Sequence, residues 1–330
     1  MDFTEQNLEN IRAIHLHNMS VVELVKADAQ VDSRFHFSKG VWWREVKPFF
    51  YQPAVFMMRI MPHQAKPRFW RAMGGYYHLV PEGTESNGRV VVNEISEPSK
   101  YGLQSLSTNM RSQIRRGLAR CKICRVTVLD HLLKEGYRIY LSWEERTPDA
   151  RVRRSDPMTF RGWMTRTFGH PYTIILGAYY EGRLISYVIF YAAEGVANLF
   201  KSFTDVTYAH LYPSVALLYA YIEIAGQNPA IHKVCHGLRS HKDSLENYKA
   251  KFGFQHVVYP AYIQLRAPLR PLTRWLMPDQ YRRLMGQYSS NAEASARQEE
   301  TEKDKIRDVD DQDLARESNA FQEFTDLSPW

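Results

Sequence analysis

The chain has 330 residues, 44% apolar and 13% aromatic, and a formal charge of +7. That apolar content excludes a wholly disordered polymer, and an odd count of three cysteines argues against a disulfide framework and for a reducing compartment. Met1–Asn18 carries early acids and no apolar core, unlike a signal peptide, and Val215–Ala225, interrupted by Glu223, is too short to span a bilayer, so a cytoplasmic address is expected.

Charge divides the chain. Residues 289–330 sum to −7 and residues 1–288 to +14. In chain order, residues 1–105 form an expected N-terminal lobe, with helical periodicity near Leu8–Ala27 and strand-like runs at Ala54–Ile60 and Arg89–Ile95. Aromatic residues crowd Val41–Tyr51 and Phe69–Tyr77. From Pro98 to Leu129 there are seven Lys/Arg and no acid. Leu106, Met110, Ile114 and Leu118 recur every four residues as a buried stripe, leaving Arg111/Arg115 and Arg116/Arg120 as two outer rows. Uncompensated positive charge on a packed helix suits an anionic partner, although a solvated face would read the same.

The next stretch has sharper punctuation. Arg125–Leu129 reads as a strand, Asp130 as the cap of a helix to about Arg146, and Asp156-Pro157 as the start of another to about Phe168. Strands follow at Tyr172–Tyr179, Leu184–Tyr191 and Val196–Phe203, split by Glu181-Gly182 and Glu194-Gly195 turns. Pro213 opens a helix closed by Gly226; then come strand Lys233–His236, helix Asp243–Phe252 and strand Phe254–Leu265. Residues 269–288 form a basic amphipathic segment, Leu269–Tyr288, which suits either a membrane interface or a helix packed back on the lobe. Residues 289–330 are too polar to offset their ordering entropy and read as a disordered tail.

This order of elements resembles the GNAT acyltransferase fold, and two stretches resemble its Fem-type branch. One is Ser105-Leu106-Ser107 followed by Arg111 and Ile114-Arg115-Arg116. The other runs from Asp205 and Tyr208 through Tyr212-Pro213 and His236-Gly237 to Tyr248-Lys249-Ala250-Lys251-Phe252-Gly253. The likeness covers about residues 104–265. It implies an α/β (α+β) class: a GNAT-like mixed, largely antiparallel sheet flanked by helices, with residues 106–268 as the acyltransferase domain. The N-terminal lobe would then be a degenerate second GNAT-like unit.

The resemblance also implies a chemistry: an amine attacks the activated carbonyl of an acyl or aminoacyl donor. Lys249 is the first candidate for polarising that carbonyl, with Tyr248 beside it. His236 stands where relatives carry Asp and, with an ordinary pKa near neutrality, is a candidate base. Asp205, Tyr208, Ser214, Arg239, Arg111 and Arg115 are candidate substrate contacts, with plain helix capping as the other reading of Asp205 and Ser214. The Gly-rich loop by which ordinary GNAT enzymes cradle coenzyme A is replaced by Val206–Leu211, which holds no glycine. The donor therefore stays open among acyl-CoA, acyl-carrier protein and aminoacyl-tRNA. The acceptor is an amine on a small or lipid-linked molecule, in cell-envelope, polysaccharide or lipid assembly. No metal is expected, since Cys121-x-x-Cys124 is only half a zinc site. A different class, a nucleic-acid-binding protein on an inactive scaffold, would use the Arg111–Arg125 surface.

Overall fold

The computed structural model describes residues 2–29, 34–68, 72–146, 156–240, 242–265 and 271. Helices α1 (Thr4–Ala13) and α2 (Val21–Ala29) flank a two-residue strand, β1 (Asn18–Met19). Strands β2 (Phe35–Ser38), β3 (Val41–Lys47) and β4 (Phe50–Pro53) form an antiparallel meander, followed by β5 (Gly75–Leu79) and β6 (Gly88–Ser96). The expected strand at Ala54–Ile60 is not one. The Met58 N–H donates to Val55 O and closes a turn, leaving a single bridge between Arg59 and Leu79.

Helix α3 (Thr108–Arg120) starts where the Ser107 hydroxyl accepts from the Met110 N–H, at 3.3 Å. Its stripe of Met110, Ile114 and Leu118 is buried, as is Leu106 before it. Strand β7 (Lys122–Arg125) overlaps the expected strand Arg125–Leu129 only at Arg125, starting three residues earlier and stopping four residues sooner. Its neighbour starts at Ile174, so the bond from Val126 N–H to Ile175 O is the last available. Helix α4 (Leu129–His131) then includes Asp130 in its first turn rather than as a cap, and passes through a wide turn at Leu132–Gly136 into α5 (Tyr137–Arg146).

Helix α6 (Pro157–Gly169) is capped by Asp156, whose carboxylate accepts from the Thr159 N–H at 2.7 Å. Strands β8 (Ile174–Tyr180), β9 (Arg183–Ala193) and β10 (Val196–Thr204) are joined by two-residue hairpins. Both residues of each turn take positive φ (Glu181 49°, Gly182 78°; Glu194 49°, Gly195 79°), the turn whose twist matches the strands it joins. Helix α7 (Pro213–Gly226), strand β11 (Lys233–Leu238), helix α8 (Asp243–Lys251) and strand β12 (Gln255–Leu265) complete the described chain.

All twelve strands of the described residues join one sheet, in the order β2-β3-β4-β5-β12-β6-β11-β10-β9-β8-β7, with β1 beside β9. Three pairs are parallel: β1/β9, β4/β5 and β10/β11. The rest are antiparallel, so the expected mixed, largely antiparallel sheet flanked by helices is the one observed. Alternation along β9 divides the core. Val188, Phe190 and Ala192 face α7, while Tyr187 and Ile189 face the aromatic residues of α5 and α6. Helix α7 lies across the first face with eleven of its residues buried. At about 1.5–3 kcal/mol for each fully buried large apolar side chain, this helix is a principal source of stability. Gly117 of α3 lets it approach α7, since a Cβ there would sit 2.6 Å from Tyr212 O.

Candidate active site

Among the described residues the ladder opens where parallel strands part, between β4 and β5 after two paired residues and between β10 and β11 after three. Strands β10 and β11 run parallel but pair over only three residues, Val196–Asn198 against Lys233–Cys235. Beyond that β10 continues to Thr204 and β11 to Leu238 with no shared register. The Tyr221 hydroxyl of α7 sits in the fork, donating to Cys235 O at 3.2 Å and bonding the Leu199 backbone. A bulge between Cys235 and Leu238, with Gly237 at φ 70°, turns β11 away. A side chain at Gly237 would be strained in that conformation.

The loop and helix after β11 bring a buried ionic cluster to this fork. Glu246 of α8 is its hub. One carboxylate oxygen accepts from the Lys249 ammonium at 2.8 Å and the Ser240 N–H at 2.9 Å. The other lies 2.6 Å from His256 Nε2. Lys249 also donates to Leu238 O at 3.2 Å, so one side chain ties α8 to the end of β11. Asn93 of β6, the cross-strand partner of His256, donates to Leu238 O at 3.1 Å. Lys249 is 1% exposed and Glu246 7%. Burial alone would raise the Glu246 pKa, but the His256 contact and the Lys249 charge hold it down at about 2. Burial pushes Lys249 down, against the pull of Glu246.

His236 lies on the same face, its ring edge-on to Phe254 with centroids 5.3 Å apart. Burial, and then the Lys249 charge, push its pKa down to about 3. The imidazole is therefore neutral at physiological pH, and far less basic than an ordinary histidine. Tyr248 is buried in the core against Phe252. Arg239 follows β11 directly, and its N–H donates to Val91 O at 2.8 Å.

The second arm of the fork carries Asp205, Tyr208 and Ser214. Asp205 caps the short turn Val206–Leu211 through the Thr207 N–H at 3.1 Å and meets Arg138 at 3.4 Å. Tyr208 packs near Tyr180, and Ser214 occupies the first turn of α7. Arg111 bonds Thr108, and Arg115 is exposed. Arg116 covers the Tyr212 ring at 4.8 Å, and Arg120 donates to His210 O at 3.2 Å. None of these four arginines forms an ion pair among the described residues. Hence Lys249 and His236 come together, Tyr248 turns to the core beside them, and the arginines lie on the outer face of α3. Apart from Pro271, the segment Leu269–Tyr288 lies outside the described residues.

His256, Asn93 and Ser240 were not singled out in the sequence, whereas Glu246 was read only as the partner of Lys249 in a surface pair; the pair is present but buried. The i, i+3 spacing of Glu246 and Lys249 was a visible signal, but it reads equally as a solvated surface pair. Pairing of Asn93 with His256 depends on a strand contact between distant segments. Among the described residues no group of three or more His, Cys, Asp or Glu could hold a metal ion, and no helix is long and apolar enough to cross a membrane. Burial raises the Cys121 and Cys235 thiols to about 12, and all three cysteines are free.

No family model and no curated protein matches this sequence. Solved structures do. The C-terminal domain of a putative lysylphosphatidylglycerol synthetase from Agrobacterium fabrum superposes with a TM-score of 0.51 at 11% identity, covering 87% of this chain and 99% of that one. FemX is similar at a TM-score of 0.48 and 8% identity, over 83% of this chain and 98% of its own. The likeness is one of fold. The chain has a GNAT-like fold.

Proposed function

We propose that the chain is an N-acyltransferase that moves an acyl or aminoacyl group from an activated carrier to an amine. The observation that carries this reading is the fork between β10 and β11 with a buried Lys249–Glu246 pair behind one arm. Where two parallel strands part, their splayed edges open a groove in which an extended carrier arm can lie and backbone dipoles can face a developing oxyanion. Positioning and fixed dipoles of this kind are the main contributions a protein makes to amine acylation, which needs no metal.

Within this reading Lys249 acts mainly through position. Its bonds to Leu238 O and Glu246, and the Glu246 bond to the Ser240 N–H, fix residues 238–240 at the mouth of the fork. Its positive charge also favours a negative carbonyl oxygen nearby. With a pKa of about 3, His236 is not the resting proton store suggested by an ordinary histidine. Its neutral ring forms part of the wall beside Lys249, and solvent takes the proton from the amine. The exposed arginines of α3 suit an anionic carrier, and the Fem-type resemblance favours aminoacyl-tRNA over coenzyme A. Relatives of that branch also suggest an acceptor linked to envelope or lipid assembly.

The test is acyl transfer from coenzyme A, carrier-protein and aminoacyl-tRNA donors to a panel of amines. Wild type should make an amide product from one donor class. Lys249→Met should slow that reaction at least tenfold, about 1.4 kcal/mol in the barrier. Undiminished turnover in a folded Lys249→Met protein would remove Lys249 from the mechanism.

A further inference from the structure

One end of the sheet exposes apolar side chains beside positive charge. Strand β3 ends at Lys47, which pairs with Phe50 at the start of β4, so Pro48 and Phe49 make the turn between them. Proline stands second in that turn and Phe49 third, with φ 62°. A third position with positive φ favours Gly or Asn, and a bulky side chain there is strained. Phe49 nevertheless occupies it and is 49% exposed. Two bonds hold it. The Phe49 N–H donates to a Glu45 carboxylate oxygen at 2.8 Å, and Phe49 O accepts from the Gly74 N–H at 2.8 Å. Gly74 allows that approach, because a Cβ there would lie 2.9 Å from Phe49 O. Met73, one residue earlier, is also 49% exposed.

Positive charge dominates this end. From Lys47 to Pro81 the chain has five Lys/Arg and no Asp or Glu, and Lys47 and Arg68 are exposed. Glu45 is engaged by the turn and by Arg34, at 3.4 Å. Arg44 is buried 3.2 Å from Asp28 and bonds the Tyr191 hydroxyl, which anchors the strand that carries the turn. The end of β12 meets the same place: Phe50 and Leu265 both pair with Gly75, from opposite sides of β5. The chain therefore passes from this tip into residues 266–288, whose sequence sets five arginines and one acid among Leu269, Leu272, Trp275 and Leu276. Two positive stretches that meet repel one another, which argues against one covering the other and for a common anionic partner. Strands β11 and β12 both run antiparallel to β6, with Cys235 and Gln255 level at Glu94. The fork opens beyond Cys235, and β12 reaches Leu265 beyond Gln255, so fork and tip belong to one end of the sheet.

We infer that this end of the sheet docks on an anionic lipid bilayer, with Phe49 and Met73 entering the headgroup region and Lys47 and the arginines after Leu265 meeting the phosphates. An anchored turn that holds an aromatic ring out of the fold beside cations matches a surface that is negative outside and apolar within. Single-stranded nucleic acid would use the cations and the ring, but not Met73 or the leucines. The docking does not rest on the transferase reading; a lipid-linked acceptor presented there would.

The experiment is flotation of the full chain with vesicles of phosphatidylcholine alone or mixed with phosphatidylglycerol. The chain should float with the mixed vesicles and not with the neutral ones. Phe49→Gly combined with Met73→Ser should weaken that partitioning by at least about tenfold, and Lys47→Gln by about fivefold. The urea midpoint of the double variant should hold or rise, since glycine relieves the positive φ. Met73→Ser alone leaves the turn intact; its expected loss of about threefold to tenfold decides the matter if the Phe49 change disturbs folding. No binding to mixed vesicles, equal binding to neutral ones, or undiminished binding by the folded variants would each overturn the inference. So would a lower urea midpoint or an altered oligomeric state in Met73→Ser, since the patch would then be covered by this chain or a second copy. Binding of single-stranded RNA in place of vesicles would overturn it as well.

Discussion

The two buried ionic clusters lie on opposite faces of one sheet and are built in opposite ways. Glu246, Lys249 and His256 come from a helix and the strand after it, within eleven residues of chain. Asp28, Arg44 and His170 come from α2, β3 and the end of α6, across more than 140 positions. The first is a local motif that the fold then buries. The second exists only once the N-terminal segment has docked on the C-terminal half, so it reports that docking directly. A buried pair is weak evidence for net stability, because desolvation opposes the Coulomb gain, but breaking one partner leaves the other stranded.

That difference sets the expected size of mutational effects. Arg44→Met should be the most damaging single change. It strands Asp28 with a cost of about 3–5 kcal/mol and loosens the N-terminal segment, which limited proteolysis would reveal as early cleavage near α2. Lys249→Met should cost a similar 3–5 kcal/mol in urea unfolding but leave α2 protected. The double variant Glu246→Gln with Lys249→Met should recover most of that loss; if it does not, the pair is more than a charge compensation. Smaller again, Ser107→Ala should cost about 1 kcal/mol through loss of the α3 cap. Either cluster could lose its pair and still leave that value unchanged, since the sites share no contacts.

Acid should sharpen the contrast further. Glu246 and His236 both have folded pKa values held below their ordinary ones, at about 2 and about 3. The unfolded chain therefore binds more protons at low pH, and stability falls as pH falls. The His236 contribution is complete above about 6.5 and fades from there toward 3; that of Glu246 fades from about 4.5 toward 2. Denaturant midpoints measured from pH 7 to pH 3 should slope downward in wild type, and the slope between pH 6.5 and 4.5 should flatten in His236→Asn. An unchanged slope would mean that the imidazole is as easily protonated in the folded protein as in the unfolded one.

Much of the C-terminal half was legible because its signals are local. Asp156 before Pro157, the two Glu-Gly turns, Pro213 at a helix start and Gly226 at its end each act within four residues, and each marks its element. The α3 stripe was legible for the same reason, since a spacing of four on a helix is geometry that needs no partner. The strand expected at Arg125–Leu129 lies instead at Lys122–Arg125, because its position is set by pairing with β8. Ala54–Ile60 failed similarly: β-prone residues form a strand only where a neighbour is free to pair, and Val55–Met58 closes a turn instead. At the site, the residues of the Tyr-Lys motif stood out, but burial decides what they can do. Tyr248 is spent on the core, and the histidine expected near neutrality is held neutral by desolvation. The Asp28 cluster left no trace in the sequence, because nothing local links residues 28, 44, 170 and 191.

The account depends most on the fork between β10 and β11 being a place where acyl groups change partners. The direct measurement is mass-spectrometric detection of N-acylated amine after incubation with each of the three donor classes, comparing wild type with the folded Glu246→Gln, Lys249→Met double variant. The account predicts an amide product from one donor with wild type and at least a tenfold slower appearance with the variant. An equal rate from both proteins, or no amide from any donor, would contradict it.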